Sequence, residues 1–176
     1  MSDDRSVFDR LRALLETHGV AYRHVQHAPT RTSEESATAR GEPISIGAKA
    51  LLLKVEENFG LFVLSADRQL DSKAIRRHCN AQRIRFATRD ELRELTGLVP
   101  GCVPPFGEPV LAFNLHIDPS VFENDRVAFN AGSLTDSFIL AREDYERVAK
   151  GTVFKFSQDG ESARIPMKRT GGGGEG

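Results

Sequence analysis

Val7, Phe8, Leu11, Leu14 and Leu15 repeat at the spacing of one helix face, and Gly19 follows as a stop. Residues 22–26 read as a short strand. Thr32-Ser33-Glu34-Glu35 has the form of a capping box, with Thr32 as N-cap and Glu35 reaching back to it. The helix it opens is short and stops near Gly41. Residues 49–55 and 61–65 read as paired strands around the turn 57–60. Asp71 caps a basic helix that runs to about Cys79, and residues 83–86 alternate like a strand. Thr88-Arg89-Asp90-Glu91 repeats the capping box, and its helix carries Leu92 and Leu95 before Gly97. Three further strands are predicted at 110–114, 126–130 and 137–141. A helix at 143–149, closed by Gly151, and a last strand at 152–156 complete the pattern. Helices and strands mix without regular βαβ alternation, which predicts an α+β fold with a largely antiparallel sheet. From Ser157 onward the chain turns polar and ends Gly-Gly-Gly-Gly-Glu-Gly. The reading is therefore one domain over 1–156 and a flexible, Gly-rich tail over 157–176 that can be trimmed without loss of activity.

A chain of 176 residues suits one domain with a real core, and 39% hydrophobic against 28% charged residues reads as soluble. No apolar run reaches the roughly 20 residues of a membrane helix, and the polar start Met1-Ser2-Asp3-Asp4-Arg5 is unlike a signal peptide. Only Cys79 and Cys102 are present, without paired spacing, which points to a reducing, cytoplasmic setting. A net charge of −1 makes no global case for nucleic acid. Residues 68–89 differ: Arg68, Lys73, Arg76, Arg77, Arg83, Arg85 and Arg89 face Asp71 alone, for a local charge of +6. Such a stripe either neutralises phosphates or is a solvated helix face beside a charge-guarded edge strand.

The candidate chemistry starts from the run Gly97 to Gly107, with three glycines and three prolines in eleven residues. Glycine turns where a Cβ would clash and proline fixes φ, so the run predicts a stiff loop presenting bare N–H groups such as those of Gly101 and Cys102. Lys49 heads Lys-Ala-Leu-Leu-Leu-Lys and shares a strand face with Leu51 and Leu53, while Lys54 shares the other with Ala50 and Leu52. Lys49 either holds a substrate oxygen or snorkels at the strand end. His27 lies in a turn, where it orients a substrate or is simply solvated. Asn130 ends a predicted strand, with both a donor and an acceptor to offer. Cys102 could act as a nucleophile, but no histidine lies beside it in sequence. The remaining histidines are isolated and no zinc spacing exists, so neither metal nor cofactor is expected. Nucleophile-elbow, phosphate-loop and dinucleotide motifs are absent from the sequence.

Lys49-Ala-Leu-Leu-Leu, Gly101-Cys-Val-Pro-Pro105 and Phe129-Asn-Ala-Gly132 occur in this order together with His27-Ala-Pro-Thr30 and Leu70-Asp-Ser-Lys73. Over roughly residues 6–156 the chain resembles the YbaK/ProX family of aminoacyl-tRNA deacylases, which also occurs as the editing insertion of bacterial prolyl-tRNA synthetases. The resemblance implies a curved, mostly antiparallel sheet wrapped by helices, with a pocket between sheet and loop. It implies hydrolysis of the ester that joins a wrong amino acid to a tRNA 3′ end. Lys49 and Gly101 then take the catalytic positions, and His27, Cys102, Val103, Pro105, Gly107, Asn130 and Gly132 the substrate contacts. Pro104 before Pro105, and Cys102 after Gly101, depart from the family pattern in ways that bear on pocket size. An activated ester needs no covalent nucleophile, so water, oxyanion donors and the tRNA 2′-hydroxyl suffice. The expected substrate carries a small amino acid of the alanine, cysteine or serine type. Its tRNA is the expected partner, with a synthetase as a second partner through the family association. From the charge stripe, and not from the resemblance, Lys73, Arg76 and Arg77 are assigned to guiding the tRNA. A monomer is the default. The rival reading is a non-catalytic module that binds tRNA or a synthetase through the same pocket.

Overall fold

The computed structural model describes residues 5–160, and its elements begin where the sequence supplies caps. In chain order they are α1 (Val7–Thr17), β1 (Tyr22–Gln26), α2 (Ser33–Arg40), β2 (Ala48–Val55), β3 (Asn58–Ser65), β4 (Arg68–Leu70), α3 (Ser72–Cys79), β5 (Ile84–Phe86), α4 (Arg89–Thr96), β6 (Asn114–Ile117), β7 (Arg126–Asn130), β8 (Asp136–Ala141), α5 (Arg142–Ala149), β9 (Thr152–Val153) and β10 (Ser157–Asp159). Ser6, Thr32, Asp71 and Thr88 each accept a backbone N–H from the first turn that follows, meeting donors a helix cannot satisfy itself. At Thr88 the box closes, because Glu91 also accepts the Thr88 N–H. At Thr32 it does not: the Glu35 carboxylate reaches one residue further and accepts from Arg31 N–H at 2.9 Å.

Two sheets carry the fold. β1-β8-β7 is antiparallel throughout, whereas β5-β2-β3-β6-β9 pairs antiparallel at β5–β2–β3 and parallel at β3–β6–β9. The expected α+β class with a mostly antiparallel sheet therefore holds. Gly47 and Ala128 form a bridge where the two sheets meet. A Cβ on Gly47 would stand 2.9 Å from the Ala66 Cβ, so this close approach requires glycine. Side-chain alternation divides the interior in two. The Ala48, Ala50 and Leu52 face of β2 joins the larger core with α1, Phe106, Phe129, Phe138 and Tyr145. The Leu51 and Leu53 face joins a smaller core with Phe62, Leu64, Ile75 and Phe156. Each fully buried side chain of this size contributes about 1.5–3 kcal/mol.

The structure corrects three of the predicted boundaries. The β2–β3 hairpin turns at Glu56-Glu57 and not over 57–60, because Glu56 adopts a φ of 52° and its carboxylate takes the N–H groups of Gln82 and Arg83. The strand expected at 110–114 begins only at Asn114, since Val110 and Leu111 both donate to the Gly107 carbonyl and close a turn there. The strand expected at 152–156 is cut short at Val153. After it, Asp118 accepts from Phe156 N–H and Ser157 Oγ, each at 2.7 Å, and Ser157–Asp159 pairs with β4. Residues 157–159, read from sequence as the start of a tail, are thus a strand. Residues 161–176 lie outside the described residues.

Candidate functional site

β5 pairs only with residues 53–55 of β2, so among the described residues no strand pairs with 48–51 on that side. The Leu52 carbonyl accepts from Ala87 and the Glu56 N–H donates to Arg83, which shows that even-numbered residues aim their backbone groups at this edge. Ala50 follows that pattern, and its N–H and C=O are left open among the described residues. A cavity of about 220 Å³ occupies the gap. The start of α2 supplies Arg31, Thr32, Ser33 and Ser36, its end supplies Arg40, and β2 supplies Lys49. Gly101, Val103 and Asn130 close the opposite wall. Three cations line the cavity and none of its lining residues is a carboxylate, a set suited to an anionic ligand.

Lys49 sits at the head of β2 on the smaller-core face, and its ammonium donates to the Arg68 carbonyl at 3.0 Å. Burial lowers its pKa from the ordinary lysine value, with Glu34 and Asp67 opposing the shift. Arg40 is almost wholly buried, and no carboxylate lies within ion-pair distance among the described residues. Burial pulls its pKa down to about 10, which still leaves the guanidinium charged at neutral pH. Its Nε donates to Ser137 Oγ at 2.9 Å and its Nη2 to Asn130 Oδ1 at 3.0 Å. The Ser137 hydroxyl also reaches Asn130 Oδ1 at 3.0 Å and His27 Nε2 at 2.8 Å. Asn130 Nδ2 in turn donates to the Gly101 carbonyl at 2.7 Å. His27, Asn130 and Gly101, far apart in sequence, are thereby joined in one network whose centre at Arg40, Asn130 and Ser137 is buried.

The glycine- and proline-rich run divides in two. Its outer part faces the cavity at Gly101, which has a φ of 91°, and at Val103. The N–H groups of both make no internal hydrogen bond among the described residues. The N–H of Cys102 is spent on the Val99 carbonyl at 3.1 Å, and the Cys102 carbonyl accepts from Gly132. Burial raises the Cys102 thiol above its ordinary pKa, against a smaller opposite effect of Val99, so the residue is poorly suited to a thiolate role. The inner part turns into the core: Pro105 accepts from the buried Tyr145 hydroxyl at 2.8 Å, and Gly107 packs against the Phe113 carbonyl and Leu115.

Of the residues read from sequence, Lys49, Gly101, Val103 and Asn130 line one cavity. His27 stands behind that wall through Ser137, and Cys102, Pro105, Gly107 and Gly132 lie outside the lining. Lys73, Arg76 and Arg77 sit on α3, which follows the β4 residue that receives the Lys49 ammonium. The +6 stripe is partly neutralised, because Arg68 pairs with Glu123, Arg83 with Glu56 and Glu57, and Arg85 with Glu91. Lys73, Arg76, Arg77 and Arg89 keep no carboxylate within 4.0 Å among the described residues. Sequence reasoning missed Arg40 and Ser137. The available signal was weak: Ser36, Ala37 and Arg40 share the buried face of α2.

Residues 27–148 match the profile of the aminoacyl-tRNA editing domain. The chain belongs to this family. Similar to it is the multifunctional Ser/Thr-tRNA deacylase ProXp-y of Escherichia coli strain K12, 40% identical over 153 residues, which span 84% of this chain and 90% of the relative. A proline–tRNA ligase of Bacillus licheniformis is 33% identical over 82 residues, 46% of this chain and 14% of the ligase. Among solved structures, a candidate trans-editing enzyme for prolyl tRNA synthetase superposes with a TM-score of 0.75 at 26% identity, over 89% of this chain and 99% of the other. The expectation of an aminoacyl-tRNA editing enzyme of the YbaK/ProX type stands with these matches. Among the described residues, no helix is long and apolar enough to cross a membrane.

Proposed function

We propose that this family member is a trans-editing hydrolase that removes a small amino acid from mischarged tRNA. The observation that carries the reading is the cavity, where Lys49, the 101–103 loop and Asn130 converge on a carboxylate-free lining. Its volume falls below the roughly 300–1,000 Å³ usual for drug-sized ligands, which favours an aminoacyl group over a bulky side chain. Lys49 anchors a phosphate or carbonyl oxygen of the terminal nucleotide. The open N–H groups of Gly101 and Val103 are the candidate donors to the oxyanion formed as water attacks, each worth about 3 kcal/mol in the barrier. The 2′-hydroxyl of the terminal ribose assists that water, and no side-chain nucleophile is required. Lys73, Arg76 and Arg77 guide the acceptor stem, and a synthetase is a further partner.

Serine is the favoured member of the alanine, cysteine and serine set. The cavity lining includes the hydroxyl-bearing residues Thr32, Ser33 and Ser36, and the Escherichia coli relative is described as a Ser/Thr-tRNA deacylase. A wall that hydrogen-bonds a substrate hydroxyl discriminates far better than an apolar one, which separates one methylene by only about 1–3 kcal/mol. The test is a deacylation panel of tRNAs charged with alanine, cysteine, serine and threonine, run with wild type and Lys49→Ala. Fastest release of serine, with loss in the variant, is expected. Salt-dependent tRNA binding without ester cleavage would replace the enzyme with a binding module.

A further inference from the structure

Arg40 is the buried charged residue of the cavity lining to which the deacylation scheme gives no task. An uncompensated buried guanidinium is costly, so what it holds must be specific. It holds the oxygens of Asn130 and Ser137. A guanidinium offers five donors and no acceptor, whereas a carboxamide has an oxygen on one side and an NH₂ on the other. With Arg40 in place only one carboxamide orientation works: Oδ1 toward the guanidinium and Nδ2 toward the Gly101 carbonyl. The flipped amide would set N–H against N–H and oxygen against oxygen. Ser137 cannot enforce this alone, since its hydroxyl rotates and has a second hydrogen-bond partner in His27 Nε2. The Gly101 carbonyl and the Cys102 N–H belong to one peptide plane. Asn130 holds the oxygen end and the Val99 carbonyl the N–H end.

We propose that Arg40 is a positioning residue: it locks the Asn130 carboxamide, which clamps the Gly101 carbonyl and thereby sets the cavity-facing segment 101–103. The inference rests on the deacylase reading only for its catalytic consequence, because the clamp itself is a statement about hydrogen bonds.

Two measurements test it. In the first, Arg40→Met, Asn130→Ala and the double variant are compared in deacylation of the charged tRNA that wild type releases fastest. Each single change is expected to lower kcat about 10²-fold, the cost of a small misplacement, with KM and its salt dependence unchanged. The double variant should fall no lower than Asn130→Ala, because residues acting through one contact are not additive. Multiplied losses, a wild-type kcat in Arg40→Met, or a raised KM with a shallower salt slope would each overturn the proposal, the last making Arg40 a phosphate contact. In the second, the Asn130 side-chain NH₂ protons are followed by NMR without substrate. They should be protected from exchange in wild type and exposed in Arg40→Met; protection in both would remove the clamp. If Arg40→Met does not fold, Arg40→Lys, which keeps the charge but loses the planar fork, takes its place in both measurements. A wild type that hydrolyses no charged tRNA would defeat the deacylase reading while leaving the NMR result to decide the clamp.

Discussion

Arg40 and Asp118 are both buried charges with no ion-pair partner among the described residues, yet they are spent differently. Asp118 is closed: Ser120 N–H, Phe156 N–H and Ser157 Oγ all donate to it, and it lines no cavity described above. Its three hydrogen bonds join the turn after β6 to Phe156 and the start of β10. Arg40 is open: two of its nitrogens are engaged, and the side chain borders the cavity. A buried charge whose bonds all go to the surrounding chain holds a fold together, whereas one at a cavity wall can orient the groups that line it. The same contrast separates the two ends of the Gly97 to Gly107 run, whose inner carbonyl at Pro105 serves Tyr145 and whose outer N–H groups at Gly101 and Val103 have no acceptor among the described residues.

The contrast breaks first at the cavity. Lys49→Ala should lower kcat/KM by about 10²- to 10³-fold while moving the thermal midpoint little; equal losses of both would merge the two regions. On the other side, Asp118→Ala strands three donors and should destabilise the fold by about 3 kcal/mol, with turnover per folded molecule unchanged. Denaturant titration with active-site normalisation reads both quantities.

A pH series sharpens the comparison. Burial pushes the Asp118 carboxyl up, but its hydrogen bonds more than reverse this, and its pKa lies below the ordinary carboxylate value. The stability it contributes is therefore complete above the unfolded-state pKa of about 3.9 and fades as pH falls through the folded value. Asp118→Ala should flatten the acid limb of stability against pH, and an unchanged limb would reassign it. Lys49 has the opposite sign. Its charged form is disfavoured in the fold, so stability rises with pH between its lowered value and the ordinary lysine value, and KM for tRNA should rise in that window. The smallest effects belong to the surface. Replacing Lys73, Arg76 and Arg77 by alanine should weaken tRNA binding and reduce its log–log salt slope by about one per residue, whereas Arg83→Ala, already paired with two glutamates, should change the slope least.

Much of the fold was legible because its signals are local. Thr32, Asp71 and Thr88 were readable as caps from the residues just after them, and Gly41 and Gly97 end their helices in left-handed turns. The misplaced strand near residue 110 and the overlooked β4 and β10 had no such mark, since three-residue strands exist only through their partners. At the site, Lys49, Gly101 and Asn130 were legible by resemblance. Arg40 was not, because one arginine before a glycine looks like any other until Asn130 and Ser137 are brought against it.

By itself the sequence determined the helices, the hairpin, the α+β class and the stiff turn at Gly101, all of which follow from neighbours within a few residues. Tertiary structure alone decided which of the loop N–H groups stay free, which cations of the basic stripe are neutralised, and which arginine is buried beside a carboxamide. Those outcomes depend on distances between groups up to about a hundred residues apart, and hydrogen bonds and ion pairs act only once the fold has closed those distances.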